Sequence, residues 1–96
     1  MPVLTKNALM ICFDVAKDTK AKYIGVAIET RGSDGYEVII NPRCNFEAKQ
    51  KYYRDAYNEQ LVLLSYDGIR IKGFCYGDSY EEIHTSLNVI VEGGID

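Results

Sequence analysis

Arg70, Lys72, Phe74 and Tyr76 alternate along the stretch GIRIKGFCYG (68–77). At the two-residue period of a strand all four project to one side, opposite Ile69, Ile71, Gly73 and Cys75. Arg70 and Lys72 would then stand about 7 Å apart, a span that suits two phosphates. A guanidinium grips a phosphate through two parallel hydrogen bonds. Phe74 and Tyr76 continue the line with flat faces on which a nucleobase stacks. The strand ends at Gly77-Asp78, just before the amides that open a helix at Ser79 and favour an anion. The same four residues also fit an ordinary edge strand, whose charges block unwanted pairing and whose rings tuck beneath a helix.

A second cluster lies in NPRCNF (41–46), where Asn41 and Arg43 flank a rigid proline turn between a strand and a helix. Loops at such junctions often carry recognition, and Arg43 precedes the positive end of a helix. A plain connector, with Asn45 as helix cap, is the structural alternative.

Catalytic patterns are absent from the sequence. The single histidine, His84, follows Ser79 by five residues on a helix, so the two side chains diverge by about 140° and form no dyad. No carboxylate pair stands beside an apolar set that would split its pKa values, and Glu81 and Glu82 read as first-turn acids that favour the helix dipole. No phosphate-binding glycine loop and no nucleophile elbow occurs. Cys12, Cys44 and Cys75 are odd in number and far apart, which argues against a zinc site or a disulfide framework, and no cofactor is expected. Reduced thiols, no evident signal peptide and no run of about 18 apolar residues predict a cytoplasmic chain without a membrane span.

Net charge is −3, and its distribution is uneven. Every lysine and arginine lies within residues 1–72, whereas Asp78, Glu81, Glu82, Glu92 and Asp96 follow. The basic excess before Lys72 is too small for a nucleic-acid backbone binder, but two or three cations suffice for a small anion. Eight tyrosines and no tryptophan supply large flat surfaces with polar tips, for a small core or for an interface.

These residues must be positioned by one domain spanning residues 1–96. TKNALMICFDVAKDT (5–19) reads as a helix capped by Thr5, with Ala8, Ile11, Cys12, Val15 and Ala16 on one side. KYIGVAIET (22–30) and YEVIIN (36–41) read as strands joined by the turn RGSDG (31–35). Pro42 ends the second strand. Asn45 then opens a helix over 46–58 that packs through Phe46, Tyr53 and Tyr57. Asp67-Gly68 predicts a type I′ turn between strands over 61–66 and 69–77, pairing Leu64 with Ile71 and Val62 with Gly73. Ser79-x-x-Glu82 is a capping box for a last helix carrying Ile83, Leu87 and Ile90, stopped by Gly93-Gly94. The β-branched run 89–91 leaves a short strand as its alternative ending. The class is α+β, an antiparallel sheet from two hairpins with two or three helices, in the order α-β-β-α-β-β-α.

The Asn-Pro turn before Asn-Phe, the Tyr-Tyr helix and the Gly-Ile-Arg-Ile-x-Gly-Phe strand lie within residues 40–83. Over roughly residues 22–83 the chain resembles small phage anti-defence proteins of the Thoeris anti-defence type. The resemblance implies a non-enzymatic sponge that sequesters a cyclic ADP-ribose-type or other cyclic nucleotide signal in the infected cell. It also implies a homo-oligomer with sites between subunits. Two other functions fit the sequence: an anti-CRISPR-like, protein-binding inhibitor using the acidic C-terminal segment, and a plain oligomerisation module.

Overall fold

The structure, a computed structural model, describes residues 4–92. Three helices surround a three-stranded antiparallel sheet, which is the α+β class expected from the sequence. The elements are α1 (Lys6–Asp18), β1 (Tyr23–Thr30), β2 (Glu37–Pro42), α2 (Phe46–Ala56), β3 (Ile69–Gly77) and α3 (Tyr80–Glu92). A 3₁₀ turn, Arg43–Asn45, leads into α2. None of the helices is long and apolar enough to cross a membrane.

The sheet order is β2-β1-β3. β1 is central and buried on both faces from Ile24 to Ile28, because helices cover both sides. On one side, Leu9, Phe13 and Ala16 of α1 meet Phe46 and Tyr53 of α2 over Ile24, Val26 and Ile71. On the other, Ile83 and Leu87 of α3 lie over Ala27, beside Val38, Ile40 and Cys75. The approach of α3 is close because its floor is small. A Cβ on Gly25 would come 2.2 Å from Ile83 Cγ2, and one on Gly73 would come 2.9 Å from Ile90 Cγ2.

Local signals hold well in several places. The Thr5 hydroxyl accepts from the Ala8 amide, capping α1. The first hairpin forms as expected, with Gly32 and Gly35 at φ +88° and +77° in its turn. Phe46, Tyr53 and Tyr57 are buried together, and Phe13 stands edge-on to Phe46 at 6.0 Å. Ser79 Oγ accepts from the Glu82 amide, and Glu82 Oε1 accepts in return from the Asp78 amide. α3 stays helical through the β-branched run 89–91. The Gly93-Gly94 stop lies outside the described residues.

Four local expectations are corrected. The buried face of α1 is Leu9, Phe13 and Ala16, while Ile11 and Val15 face outward; the rings of α2 select Phe13 as their partner. Asn45 forms no side-chain cap. The second hairpin is not a strand pair, and neither Asp67 nor Gly68 has a positive φ. Residues 61–63 touch β3 only through an isolated bridge, Val62 with Arg70, three residues off the expected register. Leu61 takes the left-handed backbone there (φ 64°), which turns the chain before a ladder can extend.

The fourth correction concerns β3 itself. Gly73 pairs with Ala27 and Ile71 pairs with Ile28, so Lys72 is an extra residue without a partner on β1. This is a β-bulge, and it inverts the alternation. Ile69, Ile71 and Phe74 therefore lie on the α1/α2 side, whereas Gly73 and Cys75 lie under α3. The four residues Arg70, Lys72, Phe74 and Tyr76 do not share a face.

Candidate functional site

Arg70 and Lys72 converge on one carboxylate. Glu29 stands opposite Arg70 in the β1–β3 register, with Arg70 Nε 4.0 Å from Oε1 and Lys72 Nζ 3.7 Å from Oε2. Plain alternation keeps Lys72 on the side of Arg70 and Glu29, and the bulge that follows takes Phe74 and Tyr76 to the other side. These ion pairs are long and part-exposed, so they add little stability and leave the cations accessible.

Next to them two turns lie side by side. The Arg31 amide donates to the Gly68 carbonyl at 2.7 Å, tying the β1–β2 turn to the turn that precedes β3. Arg31 Nη2 lies 3.1 Å from Asp67 Oδ1 across the same junction. Between the turns is a cleft of about 370 Å³, lined by Glu29, Thr30, Arg31, Ser33, Asp67 and Arg70 with the backbone of Gly32 and Gly68. That volume lies within the range of small-molecule sites. Tyr66 borders it: a Cβ on Gly68 would come 2.4 Å from Tyr66 Cζ, so only glycine lets the ring lie this close. The Tyr66 ring is itself half exposed.

The other candidates are placed elsewhere. Phe74 is half-buried against the α1/α2 core. Tyr76 is exposed beside a smaller hollow, about 180 Å³, whose charged lining is Asp78 and Glu82. Asn41 is buried and donates from Nδ2 to the Ile24 carbonyl at 3.2 Å. Arg43 turns away from α2 and caps the C-terminal end of α1. Its Nη1 donates to the Ala16 and Ala21 carbonyls at 3.2 and 3.0 Å, and its Nη2 to the Lys17 carbonyl at 2.9 Å. A cation at that end also meets the negative pole of the helix. Its guanidinium lies 5.8 Å from the Phe46 ring centre.

Glu29, Thr30, Arg31, Ser33 and Asp67 are therefore the cleft residues that the local pattern did not single out. RGSDG shows a turn, but nothing in it shows which other turn it will touch. Of the acidic residues that follow Lys72, Asp78, Glu81 and Glu82 gather at the start of α3, and Asp78 Oδ1 is taken up by the Lys22 amide. Glu92 ends the same helix, about 18 Å along its axis. Asp96 lies outside the described residues.

Groups with raised pKa values are the buried thiols and phenols, away from the cleft. Burial pushes Cys12 up to about 12 and Cys75 to about 11. Burial likewise raises Tyr53 and takes Tyr57 to about 12. Packing explains these shifts. Among the described residues no group of three or more His, Cys, Asp or Glu is placed to hold a metal ion. Comparison with protein-family models, with curated proteins and with solved structures finds no match to this chain.

Proposed function

We propose that this protein binds a small anionic ligand of the nucleotide class in the cleft between its two turns, and holds it without transforming it. The observation that carries this reading is the presence of Arg31 and Arg70 in the lining of the cleft, with Lys72 next to Arg70 through their shared partner Glu29. One carboxylate against two cations leaves a local positive excess that a phosphate would complete. The Thr30 and Ser33 hydroxyls add neutral donors, and the half-exposed Tyr66 ring, packed on Gly68 of the lining, offers a face for a base. The carboxylates of the cleft, Glu29 and Asp67, are both engaged by cations. That favours retention over general-base chemistry.

Sequestration of a cyclic nucleotide signal, the role implied by the sequence resemblance, belongs to the same proposal. A cytoplasmic setting goes with it, and the free thiols Cys12, Cys44 and Cys75 are in keeping with a reducing compartment. Calorimetric titration with cyclic mononucleotides, ADP-ribose and inorganic phosphate tests the reading. Binding by the wild type should weaken as salt is raised. Arg70→Ala should weaken it about tenfold or more, the worth of one charge-assisted contact. Equal affinity in Arg70→Ala would place any ligand elsewhere.

A further inference from the structure

The two edges of the sheet are unlike. At β3 the outer edge is covered over its first half, where the Leu63 amide donates to the Ile69 carbonyl and the Ile71 amide to the Leu61 carbonyl, both at 2.9 Å. The Lys72 bulge then breaks the flat run. β2 has no such guard. Its sequence EVIINP carries one charge, Glu37, at its start, and no proline before Pro42 at its end.

The direction of its backbone groups follows from the register. The Arg43 amide donates to the Lys22 carbonyl at 2.9 Å, one step beyond the pair Pro42 with Tyr23. Bonded pairs alternate in an antiparallel ladder, so Asn41, Ile39 and Glu37 direct their backbone groups to β1. Val38, Ile40 and Pro42 direct theirs outward. Among the described residues no other backbone group bonds to Val38 or Ile40 across that edge. Outside the sheet, Pro42 has no amide to waste, which is where a proline is tolerated. Ile39, on the α1/α2 side, is 41% exposed at the middle of the strand.

We propose that β2 pairs with β2 of a second copy of this chain, antiparallel and centred on Ile39, to make one continuous six-stranded sheet. In this register Val38 exchanges both backbone bonds with the partner's Ile40, and Ile40 does so with the partner's Val38. Ile39 meets the partner's Ile39 at about 4.5 Å between Cα atoms, the close spacing of a non-bonded pair, and each covers the other. The register is selected by Pro42. Moving the axis to Ile40 would set the Val38 carbonyl opposite a residue with no amide hydrogen, whereas centring on Ile39 leaves Pro42 beyond the bonded residues. The inference stands apart from the cleft, and either can fail without the other.

The test is sedimentation equilibrium of the full chain over micromolar to millimolar concentration, with hydrogen exchange on the same samples. The expected result is a dimer of twice 10.9 kDa, with the Val38 and Ile40 amides protected. Ile39→Lys places like charges face to face at the axis and should weaken association about tenfold or more with an unchanged circular dichroism spectrum. Should that variant fold poorly, Ile39→Cys in a Cys44→Ser background serves instead, since the spacing at the axis suits an intermolecular disulfide. Rapid cross-linking of that variant supports the pairing. A monomer throughout, fast exchange at Val38 and Ile40 in the dimer, or no cross-link at position 39 would overturn it.

Discussion

Lys72 lies 3.7 Å from the Glu29 carboxylate although it faces no residue of the neighbouring strand. The bulge takes up the extra residue and so turns Phe74 into the core, while plain alternation keeps Lys72 beside Arg70. Removing the side chain and removing the residue should therefore both be tolerated. Lys72→Ala should cost about 0.5 kcal/mol or less, as for a part-exposed ion pair. Deletion of Lys72 would leave Ile71 opposite Ile28 and Gly73 opposite Ala27 in plain alternation, and should cost about 1 kcal/mol or less. Urea unfolding of the two variants checks this; a deletion costing about 3 kcal/mol or more, like emptying a core site, would refute Lys72 as the extra residue.

Arg43 holds the end of α1 rather than a ligand. Arg43→Ala forfeits its bonds to the Ala16, Lys17 and Ala21 carbonyls and should destabilise by about 2 kcal/mol, allowing for water to replace part of them. Arg43→Lys should recover little, because an ammonium cannot span all three acceptors in the guanidinium geometry. Nucleotide affinity of the folded fraction should stay at the wild-type value, measured by the same titration. A folded Arg43→Ala protein that no longer binds would return Arg43 to the site.

Gly25 is required by the depth at which α3 sits. Gly25→Ala would place its methyl group 2.2 Å from Ile83 Cγ2, and overpacking of this kind costs about 1–3 kcal/mol. Gly73→Ala, at 2.9 Å from Ile90, should cost less. Adding Ile83→Val, which trims the obstructing side chain, should recover part of the Gly25→Ala loss. Additive effects in that double mutant would count against the contact as the cause.

Stability should fall in alkali. Cys12, Cys75, Tyr53 and Tyr57 are all neutral when protonated, and burial raises their folded-state pKa values. Their contribution is complete below the ordinary values of 9.0 and 10.0 and is lost as pH rises towards about 11 for Cys75 and about 12 for Cys12 and Tyr57. Tyrosinate absorbance should show Tyr57 ionising together with unfolding. Unfolding free energy that stays level from pH 8 to pH 11 would contradict the burial of these groups.

What was legible in the sequence was what short-range chemistry decides. Thr5 and Ser79 announce helix starts because the cap lies within one turn of its acceptor. Phe46, Tyr53 and Tyr57 announce their shared face through helical spacing alone. The misplaced parts depended on distant partners. Nothing near Lys72 marks it as an extra residue, since the bulge exists only relative to Ala27 and Ile28 of another strand. Asp67-Gly68 carries the composition of a tight hairpin, but the Arg31 amide, 36 residues away in sequence from Asp67, takes the Gly68 carbonyl and fixes a different turn. Asn41 and Arg43 looked exposed in a proline loop, and their acceptors at Ile24, Ala16 and Ala21 could not be inferred from that loop. Arg70 and Lys72 do come together as expected, with the wrong aromatic neighbours.

The central claim is that Arg31 and Arg70 together hold a nucleotide-class anion that leaves the protein unchanged. The direct measurement is to incubate the purified protein with a panel of cyclic and linear nucleotides, wash it, denature it by heat and identify the released compound by mass spectrometry. The expected result is one intact nucleotide, near one per site, from the wild type and almost none from the Arg31→Ala, Arg70→Ala double variant. A chemically altered product, or equal recovery from the variant, or nothing retained by the folded wild type, would contradict it.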